Sequence, residues 1–152
     1  MNMDTKLNKT RGFDVWLAVG RNNLKVHRAL NQSLAELGLS LAQHEILLAI
    51  RQDPGITQKA LAANLLVVKS NVSALIKKLE ARGLVRRDCD PADARNKCLE
   101  LTGAGNKLVL KSLARQNKII AAMASVMSDD DLERTAQVMR RVSGALDELL
   151  AR

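Results

Sequence analysis

Between Leu61 and Thr102 the chain gathers side chains suited to holding a polyanion. Lys69, Ser70, Asn71, Ser73, Lys77 and Lys78 share one side of a helical pattern, and Arg86, Arg87, Arg95 and Lys97 follow. Short hydroxyl and amide groups can hydrogen-bond base edges, while lysine and arginine reach phosphates. From Gly55 to Lys97 nine basic residues stand against four acidic ones, so +5 of the chain's net +8 lies in this segment. A basic patch is the electrostatic footprint of nucleic acid. Charge runs are more often solvated faces; coincidence with a helix-and-hairpin pattern decides for nucleic acid. Only 1% of residues are aromatic, namely Phe13 and Trp16, so bases cannot be stacked on rings, which favours duplex DNA over RNA or single strands.

The other reactive groups carry less. His44-Glu45 begins a zinc-protease HExxH pattern, but position 48 is leucine, so the second ligand is missing. Cys89 and Cys98 flank a predicted hairpin tip, where Arg86, Arg87 and Arg95 could lower a thiol pKa; a disulfide there would be a redox switch, and two inert thiols are the plainer reading. Gly-rich phosphate loops, paired carboxylates and nucleophile-base sets are absent from the sequence, so neither catalysis nor a cofactor or metal is expected.

These side chains need elements to position them. Val68, Val72, Leu75, Ile76 and Leu79 recur at spacings of three and four, which predicts a helix from Val68 to Arg82, stopped by Gly83. Leu84–Arg87 and Cys98–Leu101 read as two strands joined by a polar tip from Asp88 to Lys97. A groove-sized helix before an arginine-bearing hairpin is a winged helix-turn-helix. The fold class is mainly α with a small β-hairpin wing.

Around this lobe, assigned to residues 39–102, lie long apolar-striped helices. The first, Thr10–Leu37, carries Phe13, Trp16, Leu17, Leu24, Leu30 and Leu34 within an N-terminal segment, 1–38. A C-terminal segment, 103–152, holds a helix from Gly103 to Met127, capped by Thr102, and another after the cap Ser128, with Asp129–Asp131 in its first turn. The stripe of the last helix is Leu132, Ala136, Met139, Val142, Leu146 and Leu149. Three such helices exceed what a small lobe can cover, so they are expected to pair with a second copy in one intertwined two-fold dimer. With 152 residues, a polar N-terminus, no apolar run long enough for a membrane span and two cysteines, the expected location is the cytoplasm.

The ordered set Leu39-Ser40-Leu41-Ala42-Gln43, Asp53-Pro54-Gly55, Ile56–Ala62, Lys69–Ser73, Leu79–Arg87, Asp90-Pro91-Ala92-Asp93-Ala94-Arg95 and Leu99–Gly105 resembles the MarR family of transcriptional regulators over nearly the whole chain. The resemblance implies a homodimer whose fourth helix enters the major groove and whose wing enters the minor groove. Arg95 would be the wing-tip arginine, oriented by Asp93; Ser70, Asn71 and Ser73 would contact bases or phosphates, and Lys69, Lys77 and Arg86 would clamp phosphates. It also implies a small aromatic or anionic effector, for which Phe13, Trp16, Arg21, His27 and His44 are the candidate lining. The chain departs from the family pattern at Leu66 (usually glycine), at Val68 (usually the capping serine) and at His44 (usually aromatic). A leucine is costly in a left-handed turn, so the recognition helix is expected to start late, capped by Ser70. The leading functional expectation is a repressor of a pseudo-palindromic DNA site, relieved by an effector. A low-specificity architectural binder and a cysteine-based redox regulator are the alternatives.

Overall fold

A computed structural model describes residues 10–65, 71–89 and 97–151. The elements are α1 (Phe13–Ala35), α2 (Leu41–Gln52), β1 (Ile56–Thr57), α3 (Gln58–Asn64), α4 (Val72–Ala81), β2 (Val85–Cys89), β3 (Lys97–Leu101), α5 (Gly103–Ala124) and α6 (Asp129–Leu150). The mainly helical fold with a small wing is the one expected. Two details differ. Ile56–Thr57 forms a third strand, giving the antiparallel order β1-β3-β2, and β2 continues through Cys89, so less of the hairpin is loop.

Local chemistry ends most helices. α1 closes in a Schellman motif: Leu39 N–H donates to Leu34 O (3.1 Å) and Gly38 N–H to Ala35 O (2.9 Å), with Gly38 at φ 65°. α2 starts in a capping box between Ser40 and Gln43. α4 ends in a second Schellman motif, in which Leu84 N–H donates to Leu79 O and Gly83 N–H to Glu80 O. Thr102 caps α5 by accepting from Gly105 N–H at 3.0 Å. Ser128 and Asp131 form a capping box at α6, and the Ser128 hydrogen bonds, side chain first and then backbone, hold the Asp131 carboxyl below the usual carboxylate range.

Three helices depart from expectation at their ends. α1 begins at Phe13, behind a left-handed Gly12, and stops at Ala35. α5 ends at Ala124 rather than Met127. α4 begins at Val72, and Asn71 rather than Ser70 holds the N-cap position. Leu66, Val68, Lys69, Ser70, Asp93 and Arg95 lie outside the described residues.

The chain divides into two compact units, Met1–Gln116 and Asn117–Arg152. In the first, Leu34, Ile46, Leu47, Ile50, Leu61, Ile76, Leu79, Leu99 and Val109 are almost wholly buried, so α1, α2, α3, α4, α5 and the sheet share one core. In the second, α6 has no buried residue. Among the described residues no helix is long and apolar enough to cross a membrane.

The tightest joint in the first unit lies between Leu84 and Gly105. A Cβ on Gly105 would sit 2.0 Å from the Leu84 carbonyl oxygen, whereas one on Gly144 of α6 would meet nothing within 4 Å. Gly105→Ala is therefore expected to destabilise the chain by about 2–3 kcal/mol in urea unfolding. Gly144→Ala should stabilise it by about 0.5–1 kcal/mol, because a mid-helix glycine loses more backbone freedom on folding.

Candidate nucleic-acid interface

α4 is amphipathic in the required sense. Val72, Ile76 and Leu79 are buried at spacings of four and three, while Asn71, Ser73, Lys77 and Lys78 are exposed. Ser73 and Lys77 lie one turn apart on the bare face. Ten residues make a rod of about 15 Å, short enough to lie in a major groove.

Asn71 is the one non-glycine residue with positive φ among the described residues (φ 66°, ψ 25°). Asparagine tolerates this left-handed region better than most side chains. Its carbonyl accepts from Ala74 N–H and Leu75 N–H, at 3.1 and 3.2 Å. Its side chain makes no capping bond, so the amide stands at the head of the helix with its donors and acceptor available. The departure at Leu66 and Val68 thus has a counterpart in the late start and left-handed cap of α4.

The other end of α4 is held by two arginines that had been counted only as patch charge. Arg82 Nη1 donates to Gly38 O at 2.8 Å, and Arg87 Nε donates to Glu80 Oε2 at 2.9 Å with both side chains largely covered. Neither pairing has a sequence signal, since Gly38 is 44 positions from Arg82 and Arg87 belongs to a strand. They brace the C-terminal end of the helix.

Arg86 is already paired within the wing. The strand register sets it opposite Glu100, and its guanidinium pairs with that carboxylate and with Asp88 Oδ2, at 3.2 Å. The Glu100 hydrogen bond first, and the charge of Asp88 next, raise the guanidinium pKa above its ordinary value. Expected as a phosphate clamp, Arg86 sits between two carboxylates that already neutralise it. Lys77, Lys78 and Lys59 are all exposed. Lys69, Ser70, Asp93 and Arg95 fall outside those residues, so their roles rest on the resemblance.

The five candidate effector residues do not converge within one protomer. Phe13 and Trp16 stack with ring centroids 5.6 Å apart beside a cleft of about 300 Å³ lined by Thr10, Arg11, Gly12, Phe13 and Trp16. Arg21, His27 and His44 do not line it. Arg21 is five residues on, about 140° around the helix from Trp16, and His27 is half-buried further along α1. His44 is buried in α2, with Nδ1 3.0 Å from Ser112 Oγ and Nε2 2.7 Å from Gln116 Oε1, so it presents no free ring nitrogen. In the hairpin, Cys89 pairs with Lys97 and Cys98 with Asp88, so the ladder does not set the two cysteines opposite each other. Among the described residues no group of three or more His, Cys, Asp or Glu could hold a metal.

A helix with a packed stripe and a bare polar face, followed by an antiparallel hairpin, defines a winged helix-turn-helix, the architecture of a DNA-binding lobe. A model of the MarR family matches residues 37–96. The chain is 30% identical over 107 residues to the transcriptional regulator HosA of Escherichia coli O111:H-, covering 70% of this chain and 79% of that one. It therefore belongs to the MarR family: it is a DNA-binding transcriptional regulator and not an enzyme. The fold is shared with the Staphylococcus aureus MepR–DNA complex (TM-score 0.78, 22% identity, 90% of this chain and 99% of that chain). It is also shared with a MarR-family regulator from Rhodococcus sp. RHA1 (TM-score 0.73, 24% identity, 89% and 96%).

The contrast between Lys77 and Arg86 is measurable. Lys77→Ala should weaken binding to any duplex and reduce the slope of log affinity against log salt by about 1. Arg86→Ala should change that slope by less than about half as much, because its charge is already matched within the wing. Salt titrations of both variants on one duplex make the comparison.

Proposed function

We propose that the chain is a homodimeric, sequence-specific repressor that occupies a pseudo-palindromic DNA site and is released by a small aromatic or anionic effector. The observation that carries the dimer is α6, whose 22 residues include none that is buried. Leu132, Val142, Leu146 and Leu149 form its apolar stripe and stand 37%, 41%, 52% and 64% exposed. A helix with such a stripe needs a partner.

The first half of α1 makes the same demand. Trp16 and Leu34 are about five turns apart and so share one face, yet Leu34 is wholly buried and Trp16 is 68% exposed. The face that packs into the lobe at one end of the helix is bare at the other. A second copy related by a two-fold axis covers both stripes without introducing a new kind of surface.

Two lobes on one axis would set the α4 helices in successive major grooves, about 34 Å apart. Asn71, Ser73 and Ser70 would face bases, and Lys69 and Lys77 phosphates. Arg95, oriented by Asp93, would enter the minor groove, where negative potential is concentrated. The MepR structure is a complex with DNA, which supports DNA as the partner. The cleft beside Phe13 and Trp16 offers an aromatic wall with Arg11 at its edge, a fitting host for an aromatic acid. An effector that prefers a dimer with wrongly separated lobes would lower the population able to bind the site.

Selection of bound duplexes from a random pool at near-physiological salt tests the reading. Enrichment of one inverted repeat with half-sites a helical turn apart is expected; salt-sensitive binding without enrichment would instead establish the architectural alternative. Leu146→Arg should shift the chain to monomer in sedimentation velocity and weaken binding to the selected duplex by roughly a hundredfold, through loss of two-site attachment. A dimer that survives Leu146→Arg would exclude the α6 stripe from the interface.

A further inference from the structure

Among the described residues only two polar side chains fall in the buried class, His44 at 1% and Ser112 at 0% exposure, and they bond to each other. The Ser112 hydroxyl donates to Val109 O at 2.9 Å within α5, and His44 meets α5 with both ring nitrogens, Nδ1 at Ser112 Oγ and Nε2 at Gln116 Oε1. Ser112 and Gln116 lie four residues apart, one turn of α5. A single ring from α2 therefore spans a full turn of α5 and bonds at both ends of it.

Such a clasp does what aliphatic contact does not. The hydrophobic effect is non-directional, so shape complementarity alone fixes how two apolar helix faces seat on each other. Two directional bonds to successive turns set both the height and the rotation of α2 on α5. From α2, Ile46, Leu47 and Ile50 enter the same core as Ile76 and Leu79 of α4. The recognition helix is therefore held against α5 along its length through α2, in addition to the backbone joint at its C-terminal end between Leu84 and Gly105. Beyond Gln116 the chain passes into the second compact unit, which bears the α6 stripe.

We infer that His44 is a positioning residue for DNA recognition: by clasping α5 at Ser112 and Gln116, it sets where the recognition helix stands on the helix that leads into the dimer. This inference rests on the dimeric reading above. It requires that loosening the clasp harm recognition of a two-half site while leaving general attraction to DNA intact, because the phosphate-facing lysines are untouched.

The test uses the full chain, the duplex enriched by selection and a shuffled duplex of equal length. His44→Phe, Ser112→Ala and the double variant are compared with the parent, and sedimentation verifies that each is dimeric. The selected duplex should lose about tenfold in affinity with either single variant, with the shuffled duplex changed less than about twofold. The double variant should be no worse than His44→Phe alone, since His44→Phe already removes the bond that Ser112→Ala would break. Ser112→Ala keeps the test alive should His44→Phe not fold, because alanine suits a helix interior. An unchanged ratio of selected to shuffled affinity, or an equal fall on both duplexes, would make His44 a packing residue and overturn the inference. A parent chain that is monomeric or enriches no duplex would overturn the dimeric reading, and this inference with it.

Discussion

The carbonyl of Leu84 occupies the space that a side chain on Gly105 would need, and much of the lobe depends on that approach. The same oxygen accepts from Thr102 N–H at 3.1 Å. The Thr102 hydroxyl donates to Gly83 O at 2.6 Å and accepts from Gly105 N–H at 3.0 Å. The end of the recognition helix, the start of the wing, the return of the wing and the first turn of α5 thus meet within four residues: Gly83, Leu84, Thr102 and Gly105. Backbone carries the joint, so it tolerates little change in angle. A reading helix is useful only if its direction is fixed relative to the rest of the molecule, and this joint fixes its C-terminal end.

Charge is arranged by the same logic. Arginine dominates the positions where a planar fork can grip a fixed oxygen within the protein: Arg82 on Gly38, Arg87 on Glu80, Arg86 on Glu100 and Arg115 on Glu36. Lysine, a flexible point charge, occupies the bare side of α4 at Lys77 and Lys78. Among the described residues the basic segment is therefore two populations, one that braces and one that faces outward. Net charge alone overstates how much of it is offered to DNA.

Helix ends were legible in the sequence because caps act over three or four residues. Gly83, Thr102 and Ser128 each do what their types predict. The two-residue β1 was not legible, since it exists only by pairing with β3 some forty positions later. The partners of His44 lie 68 and 72 positions away, so its role in the core could not be read from its neighbours. The neutralisation of Arg86 depends on strand register, which one sequence does not specify to the residue. The late start of α4 was foreseen from Leu66 and Val68, but the residue that adopts the left-handed backbone was not.

That backbone at Asn71 narrows what mutation can explore. Nearly every L-residue placed there would meet a steric penalty before it met a base, which leaves asparagine, aspartate and glycine as the workable set. The cap position of the recognition helix is thus a small alphabet. A descendant acquiring a new DNA site would have to vary Ser73 and the residues around Lys77, so the history of such changes should be written unevenly along α4, fixed at its head and free on its outer face.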